Sequence, residues 1–364
     1  MIKIFSAITI FFLMLLSNLN AQILKYSNDY LTIGVSAKNI SLGNSVVANV
    51  NDFSASYYNP AGLNNLQSKF QASLMHSEYF AGIAKYDYAG FSYKLNDSTG
   101  VAVSLIRLGV DDIQNTLYLY DENGNIDYDR IELFSVADYA LLASFGKKSN
   151  IDGLSYGANA KIIFRNQGEF ATAYGFALDA GVQYKLNKWN FGANLTNATT
   201  GFTAWFYNIS DQMRIVFEET GNELPKNNLE IAMPILNSGV GRYFKFSDNT
   251  GLQGEIDINF TFDGERNALL SFNPISIYPQ AGFEFNYKKA VFIRAGVNNF
   301  QLIPDFRNNV AEGEEYFKEN SLDFVPSIGL GLIFHGFYLD YALTDVANQS
   351  IALYSHIFSL SYRF

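Results

Sequence analysis

Apolar and polar or small residues alternate with a period of two along most of this chain, in runs of about ten residues. In Glu255–Phe262, Ile256, Ile258, Phe260 and Phe262 fall on one face and Glu255, Asp257 and Asn259 on the other. Ala281, Phe283, Phe285 and Tyr287 alternate with Gly282, Glu284 and Asn286. Val291, Ile293, Ala295 and Val297 alternate with Phe292, Arg294, Gly296 and Asn298, and Tyr174–Leu186 behaves in the same way. This is the period of a β-strand with two unlike faces. Candidate strands lie near 70–80, 85–95, 99–108, 134–147, 153–166, 173–186, 188–197, 230–246, 250–263, 277–288, 290–299, 325–335, 336–344 and 355–364, about fourteen in all. A sandwich would bury one face and solvate the other, so the alternation alone leaves soluble sheet and barrel open.

The connections discriminate. Short turns fall at Asn96-Asp97, Ser149–Asp152, Asn187-Lys188, Ser247–Asn249, Lys288-Lys289 and His335-Gly336. Long connections fall between them, at 109–133, 167–172, 198–229, 264–276, 300–324 and 345–353; only the outer connection near 81–84 is short. Turns on one side, loops on the other and an even strand number form the pattern of a transmembrane antiparallel β-barrel with apolar exterior and polar lumen. Inward charges on that reading include Glu255, Asp257, Glu284, Arg294 and Lys185. The fold class is therefore all-β, a transmembrane barrel of about 14 strands.

Both ends of the chain agree with export. Lys3 precedes an apolar run from Ile4 to Leu16, followed by Ser17-Asn-Leu-Asn-Ala21, which reads as a signal peptide over 1–21 cut after Ala21. The run is too short to span a bilayer as a helix. With Cys 0 the chain can form no disulfide and carries no lipid-anchoring cysteine. At the other end, Phe358, Leu360, Tyr362 and Phe364 alternate with Ser359, Ser361 and Arg363. A last strand ending on Phe resembles the C-terminal signal by which outer-membrane barrels are inserted. Aromatics at 16% and Gly 28 suit a β-rich chain, and the net charge of −10 argues against a nucleic-acid partner.

Enzymatic readings lack material. Three His and no Cys leave no zinc or thiol site. His76 and His356 fall in strands and His335 at a turn, and Ser355 and His356 point to opposite faces. The Leu117–Arg130 segment centres on Asn123-Gly124, a hairpin signal. Its alternating Asp and Asn from Asp121 to Asp129 lack the glycine and terminal Glu of a calcium loop, so a polar hairpin is the better reading. No catalytic, metal or cofactor residue is assigned.

Residues 22–69 do not read as spanning strands, which makes them an N-terminal plug preceding a barrel over 70–364. Asn59-Pro60 starts a turn or short helix that Gly62 can end. Here the stretch Leu31-x-Ile-Gly-Val-x-Ala37 with Gly43, the following Asp52, and Tyr57-Tyr-Asn-Pro-Ala-Gly-Leu63 resemble the N-terminal region of the PorV/PorQ family. Leu339-Asp-Tyr-Ala-Leu-Thr-Asp345 and His356–Leu360 are similar to that family's C-terminal end. These are outer-membrane barrels of Bacteroidetes related to FadL-type transporters. The resemblance implies a Gram-negative outer membrane and a FadL-like barrel with a plug turn at Asn59, Pro60, Ala61, Gly62 and Leu63. It implies one of two non-enzymatic roles. The first is type IX secretion, with other secretion proteins and exported proteins bearing a C-terminal signal domain as partners. The alternative is transport of a hydrophobic small molecule such as a fatty acid. Outer-membrane lipid is a partner under both. Phe202, Trp205, Phe206 and Tyr207 are the candidate contact patch for partner or ligand, with an interfacial aromatic girdle the equal reading.

Overall fold

Strands rich in Phe, Tyr, Ile and Val, punctuated by left-handed Asn and Lys at the turns, build one closed antiparallel wall. The computed structural model describes residues 21–23, 26–120, 124–225, 228–304, 320–346 and 355–364. The signal segment, Asn123 and parts of the long connections lie outside these. The described residues hold eighteen strands: β1 (Ala21–Ile23), β2 (Phe70–Tyr79), β3 (Ala84–Asn96), β4 (Thr99–Asn115), β5 (Glu132–Lys148), β6 (Leu154–Gln167), β7 (Ala171–Leu186), β8 (Trp189–Thr196), β9 (Gly201–Tyr207), β10 (Asn228–Ala232), β11 (Ile235–Lys245), β12 (Thr250–Thr261), β13 (Leu270–Phe272), β14 (Ile275–Tyr287), β15 (Val291–Pro304), β16 (Asn320–Phe334), β17 (Phe337–Thr344) and β18 (Ser355–Arg363). The last strand closes on the first wall strand, from His356↔Glu78 to Arg363↔Gln71.

Two wall positions are broken. Asn197 and Thr200 take positive φ of 53° and 62° in the gap between β8 and β9, and β7 pairs with β8 at its turn end and with β9 at its loop end. Met233-Pro234 separates β10 from β11, as expected of a residue with no N–H to give to a ladder. Setting aside β1 and β13 and counting each broken pair once leaves fourteen wall positions, a closed 14-strand antiparallel barrel.

Several long connections are shorter than the sequence suggests. β4 runs on to Asn115, in keeping with a ribbon that leads from the third and fourth strands into the Asn123-Gly124 hairpin, whereas the supposed loop 198–229 contributes β9 and the start of β10. Similarly, 264–276 holds β13, and β15 and β16 extend to Pro304 and from Asn320. These extensions rise above the body of the wall, where hydrogen bonding continues but hydrophobic alternation fades. Tyr120 bridges Ile126 across the hairpin read from the Asn-Gly signal.

The outward face is apolar on most strands. On β14 it reads Ile275, Ile277, Pro279, Ala281, Phe283, Phe285 and Tyr287. The strands β2, β3 and β4 differ: above Leu74, Ala89 and Leu105 the outward positions become His76, Asp87 and Arg107, in register with one another. His76 Nδ1 lies 2.7 Å from Asp87 Oδ1, and Arg107 donates to Asp87 Oδ2 at 3.2 Å. Ionisable residues thus occur on both faces, and the expectation of charge on the lumen side alone is corrected. The sequence pattern for these strands is obscured by Tyr86 and Tyr88, which are large but point inward and are fully buried.

The lumen is filled by residues 26–69, folded as short helical turns that run across the barrel. Tyr30, Val35, Ile40, Val50, Phe53, Tyr58, Leu63 and Leu66 of this segment form one buried core with Met75, Tyr86, Tyr88, Ile106, Leu142 and Ile163 of the wall. The wholly polar lumen expected from the alternation is therefore replaced on the β2–β6 side by an apolar wall, because the plug needs a surface to bury its own side chains against.

Close approach of the plug backbone has a specific cause. Gly100, Gly146, Gly157 and Gly181 form an unbroken cross-strand row over β4, β5, β6 and β7. A Cβ on any of them would collide with Asn59, Pro60, Ala61 or Leu63. On the opposite wall Gly282 and Gly296, also register partners, face Leu42. Glycine in a strand interior is unfavourable unless another segment approaches closely; plug backbone does so at every position but Gly181, where the Asn59 and Pro60 side chains take the space.

Candidate functional site

Asn59 is the anchor of the plug turn. Its Nδ2 donates to Val47 O and to Val182 O, both at 2.9 Å, and its Oδ1 accepts from Ala61 N at 3.2 Å. Pro60 opens the 3-10 helix Pro60–Asn65, and Pro60, Ala61, Gly62 and Leu63 are all buried. Gly62 is required because a side chain there would meet Val50 O. The turn residues singled out from sequence are thus brought together at the wall, on the row of glycines.

Further contacts fix the plug. Asp257 accepts from Val47 N at 3.1 Å and Glu255 from Ala48 N at 2.6 Å, so two buried wall carboxylates hold the 47–49 turn. Asp52 meets Lys38 Nζ at 3.0 Å and Arg363 Nη2 at 3.6 Å, joining plug to last strand. Burial pushes the Asp52 carboxyl up, but Lys38, Arg363 and the Ser54 hydrogen bond outweigh it and hold the group well below the usual carboxylate range. Burial raises the Tyr57 and Tyr58 phenols, which remain neutral hydrogen-bond donors to Leu31 O at 2.5 Å and Asn44 Oδ1 at 2.6 Å.

Between plug and wall, toward the loop end, lies a cavity of about 500 Å³. One side is apolar and aromatic: Leu31, Ile33, Ile40, Tyr57 and Tyr58 of the plug face Tyr79, Ile106 and Leu142 of the wall. The other side is built of carboxamides. Asn194, Asn237 and Asn259 are direct register partners across β8, β11 and β12. Gln280, Asn298, Asn299 and Gln301 continue this lining on β14 and β15. A β-bulge between Asn298 and Gln301, with Asn299 at φ 53°, re-aims that strand toward the cavity. The charged lining residues are paired: Lys161 with Asp179 at 2.8 Å, and Arg266 with Asp263 and, at 3.6 Å, Asp29. Burial raises the Asp29 carboxyl, and Arg266 opposes this.

The wall is interrupted beside this cavity in two places. The far edge of β10 pairs in parallel with β1, while the pairing of β11 with β12 stops at Ile235↔Thr261. β15 leaves β14 above Ala281↔Val297, and the first residues of β14 pair instead with β13.

The aromatic patch at 202–207 sits in β9 as part of the wall and is divided between its faces. Trp205 donates Nε1–H to Glu230 Oε2 at 2.7 Å and lies under the Arg165 guanidinium at 4.8 Å. Tyr207 stacks on Trp205 at 6.2 Å, while Phe206 is exposed against Tyr174. Phe202 is register partner to Phe176. Phe358, Leu360, Tyr362 and Phe364 all lie exposed on the exterior, with Phe364 stacked on Phe70 at 5.1 Å. Sequence reasoning missed the glycine row and the carboxamide wall, since each exists only once the register of neighbouring strands is known.

No family model and no curated protein matches the sequence. Solved structures do. The toluene transporter TbuX of Ralstonia pickettii aligns with a TM-score of 0.54 at 12% identity, over 91% of this chain and 98% of its own. The toluene transporter TodX of Pseudomonas putida gives 0.53 at 14%, over 91% and 98%. The CymD monoaromatic hydrocarbon channel gives 0.54 at 13%, over 91% and 97%. The fold is theirs. At these identities the likeness concerns architecture alone.

Proposed function

We propose that this chain is an outer-membrane barrel of a Gram-negative bacterium that passes hydrophobic small molecules through the wall, with residues 22–69 as its plug. The observation that carries the reading is the cavity of about 500 Å³ between plug and wall, next to both interruptions in the strand pairing. Its size is that of a small-molecule site. Neighbours of the same architecture are named as toluene transporters and a hydrocarbon channel. Type IX secretion, the first of the two roles implied by the sequence resemblance, has no counterpart among these neighbours, and a cavity of this size does not hold a folded domain. The uptake role is therefore the better supported.

Plug movement is the testable step. Ser56 Oγ of the plug lies 3.0 Å from Ser104 Oγ of the wall, and the chain has Cys 0, so a Ser56→Cys/Ser104→Cys pair can be oxidised without competition. Uptake of a hydrophobic fluorophore by proteoliposomes should fall on oxidation and return on reduction. Unchanged uptake in the crosslinked state would falsify a moving plug, and absent uptake in both states would remove the transport role.

A further inference from the structure

The lining of the cavity says more than that its ligand is hydrophobic. Asn237 and Asn259, half-buried on β11 and β12, line the cavity beside Asn194 of β8, and Gln280, Asn298, Asn299 and Gln301 extend this row. A ligand that covers such polar groups without pairing them takes away their water and returns nothing, which is costly. Opposite an apolar wall of Leu31, Ile106 and Leu142, these carboxamides describe a site with one hydrogen-bonding side and one greasy side.

Charge narrows the ligand. A carboxylate would need an uncommitted cation, but Lys161 is held by Asp179 and by Asn197 Oδ1 at 3.0 Å, and Arg266 by Asp263 and Asp29. Drawing either away would strand a buried carboxylate. A cationic ligand meets the same obstacle from the other sign. A bare hydrocarbon would cover the carboxamides and displace their water without pairing them. Carboxamides both donate and accept, so they suit a neutral hydroxyl or carbonyl group.

We propose that this cavity selects an uncharged amphiphile, an apolar body carrying a hydroxyl or carbonyl group, over both hydrocarbons and carboxylates of the same size. This rests on the uptake reading of the same site. The hydroxyl would sit on the Asn194–Asn237–Asn259 row, and the apolar body against Leu31, Ile106 and Leu142.

The probes are 4-propylphenol, propylbenzene and 4-propylbenzoate, which differ only in the polar group. Binding to the full-length barrel in nanodiscs is measured by saturation-transfer NMR and competition. The expected result is a preference for the phenol of about tenfold over each of the others, the size of one additional hydrogen bond made in a buried site. Asn194→Leu/Asn237→Leu should reverse the order of phenol and propylbenzene while keeping the barrel folded, checked by its heat-shifted migration. Propylbenzene bound best by the unaltered protein would overturn the selectivity and leave the uptake reading standing. Benzoate bound best would overturn the charge argument. If none of the three binds above empty nanodiscs, both the selectivity and the cavity as an uptake site fall.

Discussion

Gly157→Ala tests whether the plug is seated by backbone contact with the glycine row. The added Cβ would lie 2.5 Å from Pro60 C and 2.6 Å from both Ala61 N and Phe145 O. Carbon atoms pack at about 3.5–4.0 Å, so the plug turn would have to retreat by about 1 Å. Overpacking of this kind costs about 1–3 kcal/mol. Removing glycine from a strand returns up to about 1 kcal/mol, so with the full return the net destabilisation is at most about 2 kcal/mol. Two of the three close atoms belong to Pro60 and Ala61, so most of the strain falls on the plug, with the Phe145 O contact taken up by a small shift between β5 and β6. We therefore expect a barrel of normal heat-shifted migration whose plug is cleaved faster by protease and whose conductance in planar bilayers rises. Gly254→Ala is the control: its Cβ would meet only the Phe283 ring, at 3.2 Å, on the exterior. Equal protease resistance and conductance in the two variants would refute the seating argument.

Asp52→Asn should loosen the plug by about 1–2 kcal/mol, less than for a fully buried pair because Lys38 and Arg363 keep some water. Since the Asp52 carboxyl is depressed in the folded state, its contribution is full above the usual carboxylate range and is lost as pH falls below it; protease sensitivity of the plug should rise with acid in the native chain and stay flat in the variant. Lys161→Met leaves Asp179 buried and unpaired, and should lower stability by about 3–5 kcal/mol, read from the temperature at which heat-shifted migration is lost. Deleting Phe364 removes its stack on Phe70 and the exposed end of the last strand, and the amount of barrel recovered from outer membranes should fall several-fold. A spin label at His76→Cys should be reached by a water-soluble relaxation agent, whereas one at Phe283→Cys should be reached by oxygen, because only the former sits among paired ionic side chains.

The wall was legible in the sequence because each strand announces its own two faces. Glu255, Asp257 and Asn259 against Ile256, Ile258 and Phe260 need no neighbour to be read, and turn lengths supply the order. Where two faces are both apolar the signal fails. Tyr86 and Tyr88 look outward by composition but are buried, Tyr88 against Phe53 and Ser56 of the plug and Tyr86 against Tyr79 of the wall. The breaks at Asn197–Thr200 and Met233-Pro234 carry local turn signals, yet they merge into a stretch that reads as loop because β9 and β10 are only 7 and 5 residues long.

The site was legible in one half only. Asn59-Pro60-Ala-Gly-Leu63 could be picked out because a cap, a helix-opening proline and a close-packed glycine act within five neighbouring residues. The partners of that turn are Gly146, Gly157 and Gly181, each of which lowers the strand signal of its own segment and gains a meaning only beside the others. The carboxamide row poses the same problem with opposite chemistry. Asn194, Asn237 and Asn259 each look like solvated lumen residues when taken singly, and registers of Asn194↔Asn237 and Asn237↔Asn259 convert them into one polar surface. A barrel needs none of these contacts to close. The plug needs the glycines, and the proposed ligand would use the carboxamides, so the residues that fit worst with strand formation are the ones that line the lumen.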